Sequence, residues 1–139
     1  MTTSDRWVVD ANVVISAMIF AGSVPDQVIQ HLFQEGTVLQ SSDSLQEVIK
    51  TANREKFDKY VTSDDRAAFL RRFVLSCKLV KTDERITECR DPEDNRYLEL
   101  AVAGQAAGII TGDEDLLVLH PFRGIAILTP AQYLAEHDS

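Results

Sequence analysis

Residues 7–15 read WVVDANVVI, and every position except Asp10 and Asn12 is apolar. A strand with one wet face alternates apolar and polar residues. A run that is apolar almost throughout fits a strand covered on both faces. Parallel sheets supply that setting, because their crossovers lay helices above and below. We therefore read Trp7–Ile15 as a central strand, with SAMIF (16–20) turning into a short helix. Further strand-like runs recur at TVLQ (37–40), KLVKT (78–82), IIT (109–111) and GIAILT (124–129).

Helical patterns separate these runs. Pro25 opens a segment with an apolar stripe of Val28, Ile29, Leu32 and Phe33 that stops at Gly36. Residues 41–52 and 63–77 also read as helices, the second capped by Ser63, and REKFDKY (54–60) is helical too. Residues 91–108 form the strongest pattern, with Asp91 as cap, Pro92 at the first helical position and Gly108 as the stop. PAQYLAEH (130–137) closes the chain. Strands alternating with helices predict βαβ units, hence a three-layer α/β/α fold with a central parallel sheet. No linker or repeat interrupts the pattern, so residues 1–139 read as one domain.

Charge narrows the function. A formal net charge of -8 and a pI near 4.8 argue against a protein that coats nucleic acid through its whole surface. A small positive groove on an acidic body stays open. Cys77 and Cys89 lack CxxC or zinc-finger spacing and read as structural thiols in a reducing compartment. The stretch MTTSDRWVVD lacks the pattern of a secretory leader, and no apolar run approaches the ~18 residues of a membrane span. These features predict a soluble, cytoplasmic protein.

In open parallel sheets, sites form beyond the carboxyl ends of the strands. Asp10 interrupts the first apolar run, where an unpaired charge is costly. Asp113, Glu114 and Asp115 crowd into TGDEDLL (111–117), directly after an apolar strand. Asp94 lies in the first turn of the strongest helix, and Glu47 in the helix after TVLQ. Most of these have an ordinary reading: a helix-terminus charge for Asp94, a capping-box spacing for Ser44 and Glu47, a solvated turn for 111–117. Asp10 is the hardest to dismiss. Hard oxygen ligands without His or Cys suit Mg²⁺ or Mn²⁺, and a cation would relieve the repulsion among the acids.

The chain resembles the PIN-domain ribonucleases, and most closely the VapC-like toxins of bacterial toxin–antitoxin pairs. VVDANVVISAMI matches that family's opening Asp and Asn, SSDSLQEV its Glu-bearing helix, and ILTPAQYL its common ending. The block CRDPEDNRYLELAVAGQAAGIITGDEDLL (89–117) is the most specific match, and the resemblance runs from Trp7 to Leu134. It implies catalytic and metal-binding roles for Asp10, Glu47, Asp94 and Asp113. It adds Asp115 as a further metal ligand and Asn12 and Thr111 as site neighbours. Ala11 departs from the pattern: many relatives carry Thr or Ser there.

The resemblance implies Mg²⁺- or Mn²⁺-dependent hydrolysis of RNA phosphodiester bonds, with one or two ions activating water and neutralising the leaving oxygen. A small antitoxin and a homodimer are the implied partners. Arg54, Lys56, Lys59 and Arg96, from a basic excess in mid-chain, are the candidate RNA contacts. Two other classes compete. A catalytically weak or inactive PIN-fold binding module is favoured by Ala11. An aspartate-based phosphotransfer domain would want an acid at Asn12 or a Lys closing a late strand, and has neither.

Overall fold

The computed structural model describes residues 5–137. The leader reading draws partly on residues 1–4, which lie outside that span. Five parallel strands form the centre, in the order β3-β2-β1-β4-β5. They are β1 (Arg6–Val9), β2 (Thr37–Gln40), β3 (Cys77–Leu79), β4 (Gly108–Ile110) and β5 (Ala126–Leu128). The helices are α1 (Ala11–Ile19), α2 (Val24–Glu35), α3 (Ser42–Ala52), α4 (Ser63–Ser76), α5 (Asn95–Ala103), α6 (Glu114–Leu117) and α7 (Pro130–His137).

The period-2 geometry of a strand divides the core into two layers. Trp7 and Val9 of β1 pack on one face with Val14 of α1, Ile29 and Leu32 of α2, and Tyr133 of α7. Val8 points to the other face, toward Leu98 and Ala101 of α5 and Leu116 of α6. Trp7, Val8 and Val9 are all buried. The expected three-layer α/β/α arrangement is the one observed. No single helix among the described residues is long and apolar enough to cross a membrane.

Several element boundaries differ from the sequence reading, each for a physical reason. The first strand ends at Val9, and Ala11–Ile19 is one helix rather than a continued strand. A buried helix is as apolar as a buried strand, so periodicity cannot separate them. Asp10 ends the strand by capping that helix: its carboxylate accepts from the backbone N–H of Asn12 at 3.0 Å. Thr62, not Ser63, caps α4. Ser41 caps α3 and forms a reciprocal box with Ser44, so the Ser44–Glu47 spacing is not a cap. Residues 54–60 form only a short 3-10 turn, Glu55–Phe57.

The strongest helix is shorter than its pattern. Asp91 caps a 3-10 turn, Pro92–Asp94, which leads into α5, and α5 stops at Gly104. Gly108 instead begins β4, paired with Trp7 on one side and Ala126 on the other. A Cβ at Gly108 would lie 2.6 Å from the Trp7 ring and 2.7 Å from the Ala126 carbonyl oxygen. The backbone contact cannot yield without breaking the ladder. Gly108→Ala is expected to cost about 2–3 kcal/mol, read as a lower midpoint in a thermal melt. An unchanged midpoint would mean that β4 is not clamped between its neighbours as described.

Candidate metal centre

The order of the sheet places the site. From β1 the chain moves outward through β2 and β3, then returns to the opposite side of β1 for β4 and β5. The reversal opens a crevice beyond the carboxyl ends of β1 and β4, where ligands bind in open α/β sheets. Asp10 follows β1 and Thr111 follows β4. The Asp10 N–H donates to the Ile110 carbonyl at 2.9 Å, which ties the two strand ends together.

Asp10 is 4% exposed, yet its carboxylate is well supplied with donors. Oδ1 accepts from Asn12 N–H at 3.0 Å and lies 3.4 Å from the Tyr97 hydroxyl. Oδ2 accepts from the Thr111 hydroxyl at 2.8 Å. The fully buried Thr111 also accepts, through Oγ1, from the Asp113 N–H at 3.0 Å. Asp113 in turn caps α6, accepting from the Asp115 N–H at 2.9 Å. One hydrogen-bonded chain thus runs from Asp10 through Thr111 to Asp113.

A second segment, residues 89–95, is fastened beside it. Asn95 Oδ1 accepts from the Cys89 N–H at 2.8 Å. Arg90 pairs with Asp115 across the gap to α6. The Asp91 carboxylate accepts from Glu93 N–H at 3.1 Å, turning the chain so that Asp94 meets Asp113. Carboxylate oxygens of Asp91, Asp94 and Asp113 all lie within 4.8 Å of one another.

Among the described residues, no N–H or O–H group donates to the buried Oδ2 of Asp94. Burial first, then the Asp113 carboxyl, then Asp91 and Asp10, push its pKa up to about 7. Asp113 moves the other way, held below the usual carboxylate range by its hydrogen bond with Asp94 and by the Asp115 N–H. Asp94 and Asp113 therefore behave as a pair that keeps one proton near neutrality. An orphaned buried oxygen among like charges is the electrostatic setting that a hard divalent cation relieves.

A PIN-domain family model matches residues 6–115. The chain belongs to the PIN-domain family. An uncharacterized protein of Methanocaldococcus jannaschii, MJ1680, is 32% identical over 141 residues, covering 94% of this chain and 90% of the relative. PIN domains are generally nucleases, and in this PIN domain the three-aspartate cluster could hold a metal ion.

The remaining acids expected at the site take varied positions in the PIN fold. Glu47 lies on α3 and lines a separate cavity of about 320 Å³ with Ser41, Asp43, Thr82, Arg96 and Glu99. A small crevice lined by Ala11, Tyr97 and Glu47 adjoins it. The structure thus gathers Asp10, Asp94 and Asp113, and sets Glu47 in the neighbouring cavity. The Asp115 carboxylate is paired with Arg90. Asn12 is exposed and contributes its backbone N–H to Asp10.

Of the basic residues, Arg96 reaches the site's edge, its guanidinium 5.6 Å from the Tyr97 ring centroid. Arg54, Lys56 and Lys59 are exposed near the end of α3, the two lysines resting over Phe57 and Tyr60. Arg66 is buried and paired with Asp58 at 2.7 Å, so it belongs to the scaffold.

Sequence reasoning missed two contributors. Asp91 was read only as a helix cap, although its i, i+3 spacing to Asp94 was a usable signal. Tyr97 sits on an apolar stripe and carried no signal. His120 has a structural role, accepting at Nδ1 from the Ile127 N–H at 2.8 Å. His31 and His137 pack around Tyr133.

Proposed function

We propose that this chain is a divalent-metal-dependent endoribonuclease acting on RNA phosphodiester bonds, working as a single PIN domain in the cytoplasm. The observation that carries the reading is the buried, donorless Oδ2 of Asp94 beside Asp91 and Asp113. Asp94 and Asp113, with Asp10 and the newly added Asp91, would hold Mg²⁺ or Mn²⁺. When bound, the ion supplies Lewis-acid activation of water and neutralises charge at the scissile phosphate. Thr111 orients Asp10 and Asp113 together. Arg96, at the rim, would offer a guanidinium to a phosphate oxygen, and the exposed Arg54, Lys56 and Lys59 would contact the RNA backbone further along. Glu47, which lines the adjoining cavity, would serve the leaving side of the substrate.

The test is cleavage of a single-stranded RNA by the purified chain in millimolar Mn²⁺, with EDTA and Asp10→Asn as controls. We expect cleavage that both controls abolish. A well-folded wild-type chain that leaves RNA intact would instead favour the binding-module reading, to which Ala11 lends some support.

We further propose that the chain is the toxin of a toxin–antitoxin pair, acting as a dimer inhibited by a small antitoxin. The resemblance of residues 8–19 and 89–117 to VapC-like toxins supports this. Expression should arrest growth, and co-expression of the gene immediately upstream should relieve the arrest. Unimpaired growth with a demonstrably active nuclease would remove the toxin role and leave the nuclease reading standing.

A further inference from the structure

We propose that Tyr97 is a positioning residue of this centre, its hydroxyl setting the orientation of the Asp10 carboxylate. The inference rests on the metal-nuclease reading of the site. Tyr97 lies on α5 and is 7% exposed, with Arg96 covering its ring. Its hydroxyl accepts a hydrogen bond from the Ala11 N–H at 3.1 Å. With a lone pair committed there, the hydroxyl proton must point elsewhere. Asp10 Oδ1, 3.4 Å away, is the carboxylate oxygen it meets. That separation is long for an O–H···O bond, as is common in sites that tighten only with substrate or ligand bound.

The arrangement is a clamp with two sides. Thr111 donates to Oδ2 from the end of β4, and Tyr97 faces Oδ1 from α5. The Asn12 N–H holds Oδ1 from within α1. Ala11, next in the chain, has no side-chain donor of its own, so a hydroxyl on this side of Asp10 has to come from another element. Tyr97 provides it across 87 residues of sequence. The same hydroxyl, through Ala11 N–H, also pins the first turn of α1, on which Asp10 depends for its cap. Partners of this kind tune a metal site through its ligands without touching the ion.

Tyr97→Phe keeps the ring and its packing, so the variant should fold. It removes only the hydroxyl. We expect the Mn²⁺ concentration for half-maximal RNA cleavage to rise by about tenfold, and the Mn²⁺-induced rise in melting temperature to need correspondingly more metal. KM for RNA at saturating Mn²⁺ should stay the same, because the hydroxyl is too buried to touch RNA. Half-saturation by Mn²⁺ equal to that of the wild type overturns the proposal. So does a variant that merely melts earlier without metal while its Mn²⁺ dependence is unchanged, since that is a packing role. A wild-type chain that neither binds Mn²⁺ nor cleaves RNA overturns the nuclease reading itself, and this proposal with it.

Discussion

Asp94→Asn is expected to reduce RNA cleavage in Mn²⁺ at least about 100-fold, since loss of even an outer partner of a metal ligand typically costs roughly 10–100-fold. The same substitution should leave the metal-free protein as stable as the wild type at acid pH and more stable above neutrality. The sign follows from linkage. Asp94 in the folded protein titrates at about 7, well above an ordinary Asp at 3.8. Between those values the folded chain holds a proton that the unfolded chain releases, so stability falls as pH rises.

Above pH 7 the full cost of the buried, repelled carboxylate is present. After allowance for solvent screening of a partly exposed group, it is about 1–2 kcal/mol. An Asn side chain does not ionise, and its amide can donate to Asp113 as the protonated Asp94 does. Thermal melts at pH 5 and pH 8 on both proteins test this. The rival reading, Asp94 as a helix-terminus charge, predicts a loss of about 0.3–1 kcal/mol and unchanged cleavage. That pattern would take Asp94 out of the site.

Metal binding itself should be proton-linked. The Asp94–Asp113 pair holds one proton near neutrality, and a metal ligand must release it. Apparent Mn²⁺ affinity should therefore rise about tenfold per pH unit below pH 7 and level off above it. Calorimetric titration near pH 6 in buffers of differing ionisation enthalpy should detect close to one proton released per ion. At about 100 times Kd, metal should add roughly 2.7 kcal/mol to stability. Affinity independent of pH between 5 and 8, with no proton released, would show that the ion does not enter between these two carboxylates.

Much of this molecule is legible in one dimension, unevenly. Asp10 stood out because no strand tolerates a charge between Val9 and Ala11 without a purpose. TGDEDLL stood out because three acids follow an apolar strand. The block 91–108 announced its cap, Pro92, and its apolar face, though not its true end at Ala103. The end of the first strand did not show: Val13, Val14 and Ile15 favour a strand locally, and they are helical because α1 is enclosed by α2, α3 and the sheet. Packing on several sides outweighs a β-propensity of well under 1 kcal/mol per residue. Glu47 was legible as an acid in a helix, but whether it shares a cavity with Asp10 depends on how α3 leans on its neighbours.

What the sequence by itself determined is the periodic part: apolar strands alternating with amphipathic helices, hence a parallel sheet in three layers, and acids at the strand ends. Those follow from interactions between residues a few positions apart. Only the tertiary structure decided which acids meet. Asp91 joins Asp94 and Asp113 because Asn95 closes the 89–95 segment on Cys89 and Arg90 ties that segment to Asp115, 25 residues on. The Asp94 proton and the Tyr97 clamp on Asp10 arise the same way. Electrostatic coupling and hydrogen bonding fall off over a few ångströms, and distances that short between remote residues exist only after the chain has folded.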